Sequence, residues 1–256
     1  MTLSKNKMAE KMLQKIPSSN SGASAREGKN VMSQQKVVCG DAYKNVEKYL
    51  DDSTVIVTDP PYNIKYHYRT YTDNKKDEEY WRDLSHLCSL APSCVIMYPE
   101  SLFVLSSWMN QIPTKVCSWV YNANTEKQHR DAAYFGIKPN FNLYKQPYKD
   151  MNDPRCKKLF ERTGGARSYD WKEWPQVKNK NKDDGGTGVT HPCQMPVEIM
   201  KYLVGIIPTE YKIVDPFAGS GTTGVACKLL DRDFIGLEID SEYVRLANAR
   251  ISQANE

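Results

Sequence analysis

The sequence predicts an α/β fold, a circularly permuted Rossmann-like sheet with helices on both faces. Three observations predict it. Short β-branched runs alternate with helical sequence over residues 37–121, and a second unit of strand, glycine loop, helix and strand lies at 211–239. Only seventeen residues follow that second unit, whereas a doubly wound sheet needs more strands than it supplies, so the others must come from the earlier block.

Residues 36–40 read as the first strand, with Asp41 just past its end and a helix over 43–50. Asp41 is placed either to cap that helix or to reach a ligand at the strand's carboxyl edge. Val55, Ile56 and Val57 suit a strand buried on both faces. It stops at Asp59-Pro60-Pro61-Tyr62, because neither proline can donate to a ladder, and Pro61 biases Pro60 toward an extended backbone. Asp59 and Tyr62 therefore project from a stiff support. A carboxylate and a fixed carbonyl beside an aromatic ring suit the activation of an exocyclic amine, whose lone pair is delocalised until acceptors draw on its hydrogens. Taken alone, the same four letters also fit an ordinary proline turn.

Residues 65–77, carrying Tyr66, His67, Tyr68, Arg69 and Tyr71, read either as a loop that closes over substrate or as a plain surface loop. Helical sequence over 78–90, a strand at 94–98, a helix over 102–109 and a strand at 115–121 continue the alternation. It is lost between 122 and 190, a length of irregular sequence that is usually functional. Here Lys145, Lys149, Arg155, Lys157, Lys158, Arg162 and Arg167 interleave with Tyr144, Tyr148, Tyr169, Trp171 and Trp174, a mixture suited to phosphate contact and base readout. Residues 178–188 are expected to lack fixed structure without a partner.

The second unit reads Asp215-Pro216-Phe217-Ala218-Gly219-Ser220-Gly221-Thr222-Thr223, between a strand at 212–214 and a helix over 222–230. A strand at 234–239 follows, with Glu238, nineteen residues after Gly219, placed to accept ribose hydroxyls. Taken literally, Gly219-x-Gly221-x-x-Gly224 is a dinucleotide fingerprint, so a nicotinamide dehydrogenase is a rival reading. The chain order and the proline turn both argue against it.

The net charge of +4 is unevenly spread: residues 1–36 and 122–190 are each +5, and 37–121 and 191–256 each −3. A near-neutral core with two basic additions suits a protein that meets a polyanion. Residues 1–36 contain an amphipathic pattern of Met8, Met12, Leu13 and Ile16, readable as a mobile tail, a DNA-contacting arm or a transit segment. Seven cysteines without a C-x-x-C pair, and four histidines, give no zinc cluster, and the cysteines read as reduced core residues. No apolar run approaches a membrane span, so a soluble, intracellular protein without a membrane partner is expected.

With these motifs in hand, the chain resembles the β group of DNA amino-methyltransferases, in which Asp-Pro-Pro-Tyr comes first, a target-recognition region follows and Phe-x-Gly-x-Gly comes last. The resemblance covers about residues 37–252 and extends to Gly40-Asp41, His191-Pro192-x-Gln194-x-Pro196 and Gly236-x-Glu238-x-Asp240. Met195 stands where the family often has lysine. The resemblance implies a basic N-terminal extension at 1–36, a catalytic half at 37–121, a target-recognition region at 122–190 and a cofactor half at 191–256. It implies S-adenosyl-L-methionine as cofactor and double-stranded DNA as partner, with a homodimer left open. Asp59, Pro60, Pro61 and Tyr62 would form the base pocket, with Asn63, Lys65 and Tyr66 at its DNA-facing margin. Asp41, Asp59, His191, Gln194, Asp215, Phe217, Gly219, Ser220, Gly221, Thr222 and Glu238 would hold the cofactor. The implied product is N6-methyladenine, with N4-methylcytosine as the alternative. Relatives that modify RNA usually carry Asn-Pro-Pro-Tyr after the glycine loop, and the order here favours DNA. A catalytically dead DNA-binding module would not need every catalytic position filled, as it is here.

Overall fold

A computed structural model describes residues 34–178 and 181–255. The readings made for residues 1–33 lie outside them. The described chain divides into two compact units, Asn140–Tyr169 and the remainder.

The larger unit is built on an eight-stranded sheet. Its strands are β1 (Gln35–Cys39), β2 (Thr54–Thr58), β3 (Ser93–Met97), β4 (Lys115–Val120), β5 (His129–Phe135), β8 (Trp171–Glu173), β9 (Lys212–Asp215) and β10 (Phe234–Glu238). They are ordered β1-β10-β9-β2-β3-β5-β4-β8, and the first five run parallel. β9, late in the chain, lies between β10 and β2. The late strands β9 and β10 are thus inserted into the sheet beside the strand that carries the proline turn, which is the expected circular permutation.

Helices α1 (Ala42–Asn45), α2 (Asp77–Ser89) and α3 (Pro99–Met109) contribute Ala42, Tyr80, Leu84, Leu87, Leu102 and Leu105 to a buried cluster. From the sheet the cluster takes Ile56, Val95, Met97, Ala133, Phe135, Val214 and Leu237. Strand side chains alternate between faces, so Val55, Val57 and Tyr134 point the other way. Helices α5 (Val197–Gly205), α6 (Thr222–Leu229) and α7 (Ser241–Gln253) belong to that face, where the Tyr134 hydroxyl donates to Leu203 O at 2.9 Å. Val55, Ile56 and Val57 are accordingly fully buried.

Four sequence expectations change. The helix read at 43–50 is one short α-turn followed by a 3-10 turn, Val46–Tyr49. Irregular structure does not begin at 122: β5 pairs antiparallel with both β3 and β4, and β8 extends the sheet. The alternation of β5 was hidden by His129, Arg130 and Asp131 at its head. Residues 181–188 are held by bonds rather than loose, with the Asp183 carboxylate on Arg250 at 2.9 Å and Lys182 on Pro192 O at 2.7 Å. Of the cysteines, 88, 94, 117 and 227 are buried, while 39 and 193 are exposed and 156 is half-buried.

The smaller unit contains a two-strand ribbon, β6 (Lys145–Gln146) with β7 (Ala166–Arg167), and α4 (Pro154–Thr163), which Asp153 caps through the Arg155 N–H. No residue of α4 is buried. Among the described residues no helix is long and apolar enough to cross a membrane, and no cluster of side chains suits a metal ion.

Candidate active site

β2 and β9 lie side by side, Val55 opposite Ile213 and Ile56 opposite Val214. Onward from β2 the chain moves to β3 on one side, and from β9 to β10 on the other. This divergence opens a crevice at the strands' carboxyl ends, the place where open α/β sheets take ligands. A cavity of about 310 Å³ occupies it, lined by the proline turn, the glycine loop, Asp41, Glu238 and His191.

The proline turn is rigid for reasons beyond its prolines. The hydroxyl of buried Tyr80 on α2 donates to Pro61 O at 2.7 Å. Asp59 accepts from the Tyr62 hydroxyl on one oxygen and from Arg130 Nη1, at 3.2 Å, on the other. Burial pushes the Asp59 carboxyl above the usual carboxylate range, opposed by the Arg130 charge and the Tyr62 hydrogen bond. The Tyr62 ring meets Tyr98 edge-on, with centroids 5.4 Å apart.

Across the cavity, Asp215 is buried and receives Thr58 Oγ1 at 2.8 Å, Thr223 Oγ1 at 2.6 Å and the Phe217 N–H at 3.1 Å. Burial still raises its carboxyl to about 6. Its bonds tie β2, the glycine loop and α6 together, so it shapes the loop from behind. Glu238 is held by two backbone amides, those of Gly219 at 3.0 Å and Asp240 at 2.9 Å, and burial lifts its pKa. Asp41 accepts from the Tyr43 N–H as the cap of α1, the first of its two sequence readings, and it also lines the cavity. His191 accepts from the Cys193 N–H on Nδ1 and stacks on Tyr68, centroids 6.0 Å apart. Burial, then the charges of Lys182 and Arg250, lower its pKa to about 4, so the ring is neutral near pH 7. Phe217, Gly219, Ser220 and Thr222 also line the cavity.

Four predicted residues stand elsewhere. Gln194 is buried outside the lining, its amide exchanging bonds of 3.0 and 2.9 Å with the Asp183 backbone, so it fixes the 181–188 turn. Gly221 faces α7: a Cβ there would sit 2.7 Å from that of Ala247, and its φ is +74°. Asn63 ties the base of the 63–77 loop through Nδ2 bonds to Lys75 O and Asp77. Lys65 is exposed and does not line the cavity. Tyr66 does line the cavity and packs on Tyr68.

In the smaller unit, Lys145, Lys149, Arg155, Lys157, Lys158, Arg162 and Arg167 are all exposed. Arg155 is engaged by both oxygens of Asp153. Lys158 and Arg162 share one face of α4 by their four-residue spacing. Sequence reading missed Arg130, the cationic partner of Asp59; a lone arginine ahead of an apolar run carries no signal of its destination.

The lining contains Asp41, Asp59, Asp215, Glu238 and Asp240 against only Lys75 and Arg130. Such an excess of carboxylates suits a ligand bearing positive charge. Tyr43 and half-exposed Ile239 add an apolar wall for a flat ring. Sheet order and crevice together define a Rossmann-like domain with a ligand-sized cavity beside the proline turn. A family model described as DNA methylase, that of the N6/N4 methyltransferases, matches residues 103–249, and the chain belongs to this family. The DNA adenine methyltransferase YhdJ of Escherichia coli (strain K12) is 26% identical over 251 residues, 86% of this chain and 83% of that protein. Two solved structures share the fold. The M1.HpyAVI–SAM complex aligns with a TM-score of 0.58 at 20% identity, covering 84% of this chain and 98% of that one. The cytosine-N4-specific PvuII DNA methyltransferase aligns with a TM-score of 0.61 at 15% identity, covering 88% and 89%.

Proposed function

We propose that this DNA methyltransferase moves a methyl group from S-adenosylmethionine to the N6 amine of adenine within a short double-stranded sequence. The observation that carries the reading is the meeting, in one crevice, of the Asp59 turn with a carboxylate-rich cavity that suits a sulfonium cation. S-adenosylmethionine supplies an electrophilic methyl group. Asp59 and the Pro60 carbonyl accept the amine hydrogens and localise its lone pair, and Tyr62 offers a ring for the base to stack on. Displacement is direct, with no covalent enzyme intermediate: the amine nitrogen forms the new C–N bond as the methyl–sulfur bond breaks, the neutral thioether leaves, and the amine sheds one proton to solvent. The target base leaves the duplex stack to reach the recessed turn, at a cost of a few kcal/mol.

Asp41 is assigned to the cofactor's adenine amine and Glu238, with lone pairs left over from its two amide bonds, to the ribose hydroxyls. Ser220, Thr222 and Phe217 line its methionine end. Asp215 acts by holding the loop, Gln194 by holding the neighbouring turn, and neutral His191 by covering Gly219. Adenine is preferred because, in the family this chain resembles, adenine enzymes mostly begin the turn with Asp and cytosine enzymes often with Ser. YhdJ supports the same choice by its name. Mass analysis of nucleosides from methylated DNA is expected to give N6-methyladenine, and a dominant N4-methylcytosine peak would overturn the assignment.

Sequence choice is assigned to residues 122–190, with Asn140–Tyr169 as its principal basic surface. Changing Lys157, Lys158 and Arg162 to alanine is expected to weaken DNA binding. It should also flatten the slope of log K against log salt by about 0.9 for each phosphate that is no longer neutralised. An unchanged slope would place the DNA on another surface. Arg155, already clamped by Asp153, should contribute less than its neighbours.

A further inference from the structure

Burying an arginine is expensive, and the purpose of Arg130 is legible from its surroundings. It sits at the head of β5, opposite Trp119 on β4, with its side chain only 17% exposed. Its guanidinium carbon lies 5.3 Å from the Tyr62 ring centroid, 5.5 Å from that of Tyr98 and 5.6 Å from that of Trp119. Three rings would accept a leucine or methionine at lower cost, and Nε has no hydrogen-bond partner. What the cation gains is Asp59, itself 18% exposed, at 3.2 Å, together with a long contact to Met195 Sδ.

We infer that Arg130 is a positioning residue for methyl transfer: fixed among Tyr62, Tyr98 and Trp119, its guanidinium keeps the Asp59 carboxylate ionised and aimed at the incoming amine. This rests on the role proposed for Asp59. A carboxylate so far from water would otherwise take up a proton, and a protonated Asp59 is a weaker acceptor. Burial does raise the Asp59 pKa, and Arg130 is the largest opposing influence. The other titratable groups facing Asp59 are Tyr62 on its own turn, Tyr68 on the loop above, Cys193 before α5 and Asp215 on β9. None of these is a cation. The aromatic cage does a second job, since π-faces hold the guanidinium plane without competing for its N–H groups.

The test is the single-turnover rate of methyl transfer from labelled S-adenosylmethionine to unmethylated genomic DNA, measured from about pH 5 to 9. Because the active form of Asp59 is deprotonated, the rate rises with pH through its pKa. Arg130→Gln removes the influence that lowers this pKa, so the acidic limb should move up by about one pH unit or more. The rate at pH 6 should then fall by roughly tenfold or more, while cofactor binding by calorimetry stays near wild type. Arg130→Lys, which keeps the charge but not the planar fork, should hold the limb near its wild-type position at a reduced rate. Should Arg130→Gln fail to fold, Arg130→Met, which fills the cage, carries the same reading. A limb that stays in place in the uncharged variants, or a raised KM for DNA at unchanged kcat, overturns the inference. Wild-type turnover in Asp59→Asn would instead overturn the role of Asp59 itself, and the two failures are therefore distinguishable.

Discussion

Asp59→Ala is expected to lower methyl transfer by roughly a thousandfold or more while S-adenosylmethionine affinity changes by less than about threefold. The difference follows from what the carboxylate touches. Both oxygens are committed to the turn's own Tyr62 and to Arg130, so Asp59 presents a preorganised acceptor at the base end of the cavity. The interaction it offers strengthens as positive charge develops on the amine, and it therefore lowers the barrier more than it binds either substrate. Removing it also leaves the largely buried Arg130 cation without its counter-ion, which should lower the melting temperature. Asp59→Asn keeps the shape and an acceptor oxygen for Arg130 but not the charge, so it should recover only part of the stability and little of the rate. Wild-type-like turnover in Asp59→Ala, measured on protein that still binds cofactor, would remove Asp59 from the mechanism.

The parts legible in the sequence are those whose physics is local. Val55, Ile56 and Val57 announce a buried strand, and two prolines end it wherever the chain then goes. The glycine loop likewise carries its geometry with it, because Gly219, at φ +50°, needs a conformation that side chains resist. The order of the two motifs, proline turn before glycine loop, implied the permutation. What stayed hidden depends on distant partners. β5 is polar at its head because Arg130 and Asp131 face Asp59 and Ser118, and that pairing exists only once the sheet forms. Gln194 reads as a ligand by its place in a motif, yet its amide is consumed by the backbone of Asp183, eleven residues away, in a stretch expected to be loose. Asp41 was legible as a helix cap from its place before the helix, and a capping carboxylate can also line a cavity, as it does here.

Gly221→Val is expected to destabilise the protein by roughly 3–5 kcal/mol, through the fold rather than through the ligand. A β-branched residue at φ +74° is strained before it touches anything. Its Cβ would then lie 2.9 Å from the Cα and 2.7 Å from the Cβ of Ala247, on the backbone of α7 rather than on a side-chain tip that could swing away. α7 also carries Arg250, whose guanidinium binds Ser220 O and Thr222 Oγ1, so displacing it loosens the same loop from a second direction. For a chain of this size the melting temperature should drop by roughly 10 °C. Gly219→Ala supplies the contrast. Its Cβ would meet the edge of the His191 ring at 3.2 Å, where a small rotation gives relief, and Gly219 lines the cavity whereas Gly221 does not. That variant should melt within a few degrees of wild type, at about 1 kcal/mol of backbone strain, and lose cofactor affinity in a calorimetric titration. If Gly221→Val instead melts like the wild type and loses only S-adenosylmethionine binding, Gly221 faces the ligand and not α7, and the two glycines have exchanged roles.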